Sequence, residues 1–199
     1  MSTSADKLFI QEEELLLDAF RLGMLVYRSS FRPSFIVGLW RGGSSIGIFV
    51  QECLQYLGVE TDHISIRTSY RGMQRYANMV ENPQSEIRVH GTQYLLEHLN
   101  AEDGLLIVDD VYSSGLSVKA VIERLSQRTK RNMPHDVRVA VPWYKPTNNR
   151  TGREPDYFVH TTDKWLVLPY ELNGLSPAEI AVHKPFVKSI LDELQDFTE

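Results

Sequence analysis

The sequence predicts an α/β fold in which a mainly parallel sheet is flanked by helices. Two fully apolar runs, residues 35–39 and 105–108, are typical of strands buried on both faces, as strands of parallel sheets are. Each run is followed by a segment whose apolar residues recur at helical spacing, for example Val118, Val121 and Leu125. Strands that alternate with helices in this way favour a parallel sheet over an antiparallel one.

The first half of the chain opens with a predicted helix over about residues 10–30. Its three leading glutamates suit the positive end of the helix dipole. The elements that follow are the strand 35–39, a helix that includes Ile46, Phe49, Val50 and Leu54, a strand over 59–67, a strand over 86–90 and a short helix over 94–99. Residues 68–86 have little apolar periodicity, so we expect a long loop there, which in a compact domain is either functional or disordered.

The second half continues the alternation of strands and helices. Its predicted elements are the strand 105–108, a helix to about residue 131, a strand over 136–143, a loop over 147–156 and short apolar runs at 157–159 and 165–168. Ser176 and Glu179 have the spacing of a capping box with proline at the first helical position. Pro185 opens a last amphipathic helix with an apolar stripe of Phe186, Ile190, Leu191 and Leu194.

Composition excludes several classes of function. The 199 residues are 42% hydrophobic and 24% charged, as is ordinary for a soluble globular protein. The net charge of −5 argues against nucleic acid as a partner. Because the chain has a single cysteine, Cys53, no apolar stretch of about 20 residues and no signal-peptide pattern, we expect a cytoplasmic protein without a membrane partner.

The stretch 105–117 carries the strongest signal of chemistry. Its apolar strand runs into two carboxylates, Asp109 and Asp110, and then into a short turn of serines and a glycine that leads into a helix. Backbone N–H groups and hydroxyls at a helix N-terminus form a ready anion site. The chain contains neither G-x-G-x-x-G nor G-K-[ST]. The simpler alternative, that Ser114 or Ser117 only caps the helix, explains one serine but not the two adjacent acids.

This order of residues resembles the phosphoribosyl-pyrophosphate (PRPP) motif of the type I phosphoribosyltransferases, most closely the bacterial and archaeal 6-oxopurine enzymes. The resemblance implies one domain over residues 1–199, with a small base-binding hood built from the N-terminal helix and about residues 145–199. It also implies Mg²⁺ as cofactor and transfer of phosphoribose from PRPP to hypoxanthine, guanine or xanthine, giving the nucleoside monophosphate and pyrophosphate. We expect a homodimer or a homotetramer.

The resemblance also assigns the donor site. The residues it places on PRPP are Arg41, Gly42, Gly43, Asp109, Asp110, Val111, Tyr112, Ser113, Ser114, Gly115, Leu116 and Ser117. Two adjacent glycines allow close approach of the backbone to a ligand, and the arginine supplies a fixed positive charge. The predicted catalytic residues are Arg41, Asp109, Asp110 and Ser113. The predicted metal ligands are Asp109, Asp110 and Glu171.

The base site and the lid are implied by the same resemblance. Lys145 corresponds to the lysine that bonds the 6-oxo group, Trp165 to the ring that stacks on the purine, and Leu166 to a backbone contact with the base edge. The alternatives are a solvated charge for Lys145 and core packing for Trp165. A lid that closes over the reaction centre is expected to begin at Ser69 and Tyr70.

One departure from the family pattern bears on function. The 6-oxopurine enzymes have aspartate, the base that acts at purine N7, where this chain has Ser113. Serine is a poor proton acceptor near neutral pH. Two alternatives to purine salvage therefore stay open: a regulator that binds PRPP without turnover, and a phosphoribosyltransferase for another base.

Overall fold

The helices and strands follow the predicted alternation. The computed structural model describes residues 7–70 and 87–193. Its elements are β1 (Lys7–Phe9), α1 (Glu12–Arg28), β2 (Phe35–Trp40), α2 (Gly42–Tyr56), β3 (Asp62–Tyr70), β4 (Ile87–His90), α3 (Gln93–His98), β5 (Gly104–Val108), β6 (Val111–Tyr112), α4 (Leu116–Thr129), β7 (Asp136–Tyr144), β8 (Tyr157–Thr161), β9 (Trp165–Val167), α5 (Pro177–His183) and α6 (Pro185–Glu193). Two 3-10 turns lie at Lys130–Asn132 and Pro146–Asn148.

The chain divides into two compact units. The larger unit is Leu16–Asp163, and the smaller unit combines Met1–Leu15 with Lys164–Glu199. The prediction of one domain with a small hood stays a prediction.

The larger unit is built on a seven-stranded sheet. The strand order is β4-β3-β2-β5-β7-β6, and β8 also pairs with β7, at the same two residues as β6 and therefore on the opposite side. Every pairing is parallel except that of β3 with β4. The register sets Val37 opposite Ile107 and Ile107 opposite Val139. The parallel pairing places the carboxyl ends of β2, β3, β5 and β7 along one edge of the sheet, which confirms the predicted fold class.

One face of this sheet carries the principal hydrophobic core. The cluster consists of Val37, Leu39, Ile66, Leu95, Leu99, Leu105, Ile107, Tyr112, Val118, Val121, Leu125, Val139, Val141 and Tyr144. These residues come from four strands of the sheet, from α3 and α4, and from Tyr112 of β6 and Leu99 directly after α3. Because β5 is buried at every position, its apolar run needs no alternation of polar residues.

The packing of α1 against α2 fixes the position of α2. A Cβ on Gly23 of α1 would lie 2.7 Å from the Cβ of Cys53 on α2, so only glycine permits this approach. Burial raises the pKa of the Cys53 thiol. The close contact matters for the site because the N-terminus of α2 follows β2 directly.

The smaller unit rests on two short strands and on polar contacts. β1 and β9 pair in parallel, with Leu8 opposite Leu166. The Lys7 ammonium contacts the Glu179 carboxylate at 2.6 Å. The buried Lys184 ammonium donates to the carbonyl oxygens of Leu168 at 2.9 Å and Pro169 at 2.6 Å. Burial lowers the pKa of Lys184.

Three local predictions concern Ser69 and Tyr70, the loop after them and the capping box. Ser69 and Tyr70 were expected to begin a loop, but they belong to β3, because β4 pairs with its last four residues in antiparallel register. The predicted loop beyond them, residues 71–86, lies outside the described residues. The capping box is confirmed, since the Ser176 hydroxyl accepts from the Glu179 N–H and the Glu179 carboxylate accepts from the Ser176 N–H.

The apolar stripe of α6 is exposed over Phe186, Ile190 and Leu191. Leu194, its fourth predicted member, lies outside the described residues. In the ranges 7–70 and 87–193, no helix combines the length and the hydropathy needed to cross a membrane.

Candidate active site

Three predicted site residues follow directly on neighbouring parallel strands. Arg41 comes after β2, Asp109 after β5 and Lys145 after β7. Since these strands are adjacent and parallel in the order β2-β5-β7, the three residues lie at the same edge of the sheet. Ligands of open α/β sheets bind outside this edge. The candidate site is therefore at the carboxyl edge of the larger unit.

The acidic pair is held in a tight backbone arrangement. The N–H of Asp109 donates to the carbonyl oxygen of Ala140 at 3.2 Å, which ties the pair to β7. One carboxylate oxygen of Asp109 accepts from the N–H of Asp110 at 3.0 Å, and Asp110 accepts from the N–H of Val111 at 2.7 Å. Burial, and then the neighbouring charge of Asp110, raise the pKa of Asp109 well above its usual range. The raised pKa means that ionising Asp109 is unfavourable, and a cation beside the pair would stabilise the ionised carboxylates.

The loop after β2 lies directly against the acidic pair. The bond between Trp40 and Arg41 is a cis peptide, and α2 begins at Gly42. A Cβ on Gly43 would lie 2.3 Å from the carbonyl oxygen of Val108 and 2.8 Å from the Cα of Asp109. No other residue type fits there, so Gly43 brings the start of α2 against the end of β5. Arg41 itself is exposed at this point.

The turn before α4 has the form of an anion-binding loop. Gly115 is the N-cap of α4 in the left-handed region, at φ 74°. A Cβ there would lie 2.5 Å from the Tyr112 hydroxyl, so glycine is required for space as well as for conformation. The Ser114 hydroxyl accepts from the N–H of Leu116 at 3.4 Å. The turn thus presents serine hydroxyls and amides at the positive end of a helix.

The Tyr112 side chain connects this turn to the loop that contains Arg153. Its ring is buried and its hydroxyl donates to the carbonyl oxygen of Arg153 at 2.8 Å. Burial raises the pKa of that hydroxyl. The N–H of Arg150 donates to the carbonyl oxygen of Ser114 at 3.1 Å. Sequence patterns predicted only a polar loop here, because the contacts of the Tyr112 hydroxyl join residues 39 and 41 positions apart in the chain.

Lys145 lies beside the same turn. Its N–H donates to the carbonyl oxygen of Tyr112 at 2.9 Å, and the residue is 9% exposed. Burial lowers the pKa of its ammonium, and the charge of Asp163 opposes that shift. In the turn that follows, the Asn148 amide donates to the Ser113 hydroxyl at 3.3 Å. Sequence reasoning did not single out Asn148.

Four further predicted site residues lie on β3, on β9 and after β9. The Ser69 hydroxyl is 3.0 Å from Nε2 of His90 on β4. In the smaller unit, Trp165 is 47% exposed and Leu166 is buried, both on β9. A carboxylate oxygen of Glu171 accepts from the N–H of Leu168 at 3.0 Å. The roles expected for these four residues stay predictions.

Comparison with protein families identifies the class. The phosphoribosyl transferase domain matches residues 21–173. The chain therefore belongs to the phosphoribosyltransferase family, whose members are pentosyltransferases, and the prediction of a phosphoribosyltransferase enzyme is confirmed. No curated protein sequence matches the chain.

Solved structures show the same fold at low identity. The chain is similar to a purine phosphoribosyltransferase of Pyrococcus horikoshii, with 22% identity, a TM-score of 0.65, and 86% of this chain and 98% of that one covered. It is also similar to a xanthine-guanine-hypoxanthine phosphoribosyltransferase of Helicobacter pylori, with 17% identity, a TM-score of 0.61 and coverage of 84% and 95%. A hypothetical protein of Neisseria gonorrhoeae with bound ppGpp has 16% identity, a TM-score of 0.66 and coverage of 92% and 97%.

The family generally uses Mg²⁺ together with PRPP. The donor set at the carboxyl edge suits this ion, because two adjacent carboxylates supply hard oxygen ligands and leave positions for water and phosphate oxygens. The raised pKa of Asp109 points the same way, since a divalent cation would stabilise the ionised pair.

Proposed function

We propose that the chain is a purine-salvage phosphoribosyltransferase that transfers the phosphoribosyl group from PRPP to a 6-oxopurine. The observation that carries the proposal is the meeting of three features at one sheet edge. These are the acidic pair, the close contact of Gly43 with Asp109, and the left-handed Gly115 that opens α4. Together they offer places for the sugar hydroxyls, the pyrophosphate and the 5-phosphate of one donor molecule.

In this proposal each part of the donor has its own partners. Asp109 and Asp110 bind the ribose hydroxyls and organise Mg²⁺, and the turn 111–117 binds the 5-phosphate through its amides and hydroxyls. Arg41, with the amides of Gly42 and Gly43, binds the pyrophosphate. Mg²⁺, when bound, supplies charge neutralisation for the leaving group. The arginine adds a fixed charge where negative charge develops as the anomeric C–O bond breaks.

The base would be bound beside the same turn. Lys145 donates to the 6-oxo group, and Ser113 faces the imidazole edge of the purine. For Trp165, Leu166, Ser69, Tyr70 and Glu171 we propose the roles that the family resemblance implies: stacking, backbone contact, lid and a further metal contact. Partial burial supports the Lys145 assignment, because a desolvated ammonium forms a stronger hydrogen bond than a solvated one.

A turnover assay tests the proposal. The full chain is incubated with PRPP, Mg²⁺ and, separately, hypoxanthine, guanine, xanthine, adenine and a pyrimidine base, and release of pyrophosphate is measured. We expect pyrophosphate release with at least one 6-oxopurine and none with the pyrimidine. Lys145→Ala should lower kcat/KM for the 6-oxopurine by roughly 10- to 100-fold, as loss of a charged hydrogen bond does, while PRPP affinity is unchanged. Turnover with adenine or the pyrimidine alone would contradict the proposed base class.

A second candidate function is a regulator that binds PRPP, or a phosphorylated nucleotide in its place, without turnover. Ser113 favours it, because no proton acceptor stands at this position. The structural neighbour from Neisseria gonorrhoeae holds ppGpp, a guanosine nucleotide. Tight calorimetric binding of PRPP with no pyrophosphate release from any base would select this second function over the first.

A further inference from the structure

The hydrogen bond between Ser113 and Asn148 has no assigned role in the proposed reaction. The Asn148 side chain donates from Nδ2 to Oγ of Ser113 at 3.3 Å. The two residues are 35 positions apart, so the contact is a product of the fold. It lies at the carboxyl edge, next to the buried Lys145.

Local structure holds Asn148 in place. It is the last residue of the 3-10 turn Pro146–Asn148, which is closed by a hydrogen bond from its own N–H to the carbonyl oxygen of Lys145 at 3.2 Å. Thr147, in the middle of the turn, donates to the Asp163 carboxylate. Lys145, which precedes the turn, donates through its N–H to the carbonyl oxygen of Tyr112, the residue before Ser113. Two links, one of main chain and one of side chains, therefore join this turn to the PRPP motif.

The donor and acceptor positions of the two side chains determine which hydrogen bonds the pair can form with a base. A serine hydroxyl has one donor and two acceptor positions, and Asn148 occupies one acceptor position. The hydroxyl proton is then directed away from the amide. Neither side chain takes up a proton near neutral pH. The pair can donate to a ring nitrogen that carries a lone pair, but it cannot remove a proton from one.

We infer that the base enters this site as its anion, and that Asn148 is a positioning residue that orients the Ser113 hydroxyl as a donor to N7. The inference rests on the proposed function. It names the substrate class as 6-oxopurines that have already lost their imidazole proton.

The atoms balance without a general base. The lone pair on N9 of the purine anion forms the bond to the anomeric carbon, and the C–O bond to pyrophosphate breaks with its electron pair on the leaving group. The product base is neutral with N7 free to accept from Ser113, and no proton has to leave the site. A neutral purine would instead have to give its N7 proton to an acceptor, which the pair does not supply.

The turn and the motif that carry the pair have charged groups of both signs. On the turn that carries Asn148 stands Lys145, and Asp163 acts on that lysine through its charge. Arg150 follows in the chain, bonded through its N–H to the carbonyl oxygen of Ser114. Asp109 and Asp110 stand at the start of the PRPP motif itself. Lys145 is the cation that the proposed function places on the 6-oxo group, where it would stabilise the negative charge of an anionic base.

The test compares pH profiles for two bases. With the full chain, PRPP and Mg²⁺, kcat/KM is measured against pH for hypoxanthine and for 8-azahypoxanthine, whose five-membered ring ionises at lower pH. We expect each profile to rise about tenfold per pH unit up to the ionisation of that base in solution, so that the two profiles are displaced along the pH axis. Superimposable profiles would overturn the inference, because they would report a group on the protein.

Two variants of Asn148 form a matched pair. Asn148→Asp places a carboxylate of the same size beside Ser113, and it should flatten the hypoxanthine profile below that base's ionisation. Asn148→Ala removes the hydrogen bond without adding an acceptor, and it should lower kcat/KM by up to about tenfold with the profile unchanged in shape. A steep Asn148→Asp profile would also overturn the inference.

Circular dichroism serves as the control for folding, and the spectrum should be the same in all three proteins. If none of the three turns over any purine while all bind PRPP, the proposed function itself fails and the inference fails with it. That outcome is distinct from turnover with superimposable profiles, which spares the function and removes only the anionic base.

Discussion

In the larger unit, β5 is buried along its whole length between β2 and β7. The smaller unit has β1 and β9, each of three residues and paired with each other. It adds an ion pair, a capping box and a buried lysine bonded to two carbonyl oxygens. Burial of a large apolar cluster stabilises the first unit, whereas the second combines a few buried apolar residues, among them Ile10, Val167 and Leu168, with these directional polar contacts.

This difference in what stabilises the two units affects how firmly the site residues are held. A buried parallel sheet fixes the positions of the residues at its carboxyl edge, and catalysis needs such fixed positions. Contacts between polar groups contribute about 0.5–1.5 kcal/mol each, so a unit that depends on them opens more readily. We expect backbone amides of β1 and β9 to exchange with solvent faster than those of β5.

The largest effect is expected from a cavity in the larger unit. Leu106→Ala on β5 removes a fully buried side chain and should lower the free energy of unfolding by about 3 kcal/mol. Denaturant unfolding monitored by circular dichroism measures it. The matched control is Leu17→Ala, where the leucine on α1 is 48% exposed and the loss should stay below 1 kcal/mol. Equal losses in both variants would contradict the view that burial of β5 holds this unit together.

The next effect concerns the acidic pair. Asp109→Asn combined with Asp110→Asn should weaken binding of PRPP with Mg²⁺ by tens-fold, on the order of 2 kcal/mol, measured by calorimetry. The thermal midpoint of the free protein at pH 7 should not fall. The folded-state pKa of Asp109 is raised, so its ionisation opposes folding as pH rises above the unfolded value, and asparagine removes that cost.

Asp136→Asn is the control for the acidic pair. This carboxylate stands at the start of β7, at the amino edge of the sheet, where it contacts Arg138. PRPP affinity should be unchanged in this variant. Unchanged affinity in the double variant as well would mean that the motif is only a connection between a strand and a helix.

A smaller effect is expected at the capping box of the smaller unit. Ser176→Ala removes the hydroxyl that accepts from the Glu179 N–H and should destabilise α5 by about 1 kcal/mol. Hydrogen exchange should show faster exchange in α5 with no change in β5. Ser189→Ala, at an exposed position of α6, should leave both rates unchanged. Faster exchange in β5 after Ser176→Ala would show that the two units open together.

The smallest effect is the acid response of the Lys7–Glu179 pair. The Lys7 ammonium, and then the N–H of Ser176, lower the pKa of Glu179 from 4.5 to about 2. Because the folded-state pKa is the lower one, the stabilisation is present above about pH 4.5 and is lost as pH falls towards 2. Glu179→Gln should make hydrogen exchange in α5 independent of pH across this window once intrinsic exchange is corrected for. A wild-type response equal to that of the variant would refute the role of the pair.

The same comparison shows where sequence patterns were informative. In the larger unit, the apolar runs of β2 and β5 and the acids after β5 are local patterns with a direct structural consequence, and they predicted the fold and the edge at which the residues lie. The end of β3 was misplaced, because Ser69 belongs to a strand only through its pairing with β4. The stripe of α6 predicted a helix but not its exposure.

The sequence by itself determined the alternation of strands and helices, the family motif and the order of the candidate site residues along the chain. These features are runs of apolar residues, apolar residues at helical spacing and a glycine near adjacent acids. Each involves residues close together in the chain, so each can be recognised in the sequence. Only the tertiary structure decided that Gly43 touches Asp109, that Tyr112 rests on the loop at Arg153, and that Asn148 bonds Ser113. These contacts join residues far apart in the chain, and their geometry exists only once the sheet has set the register of its strands.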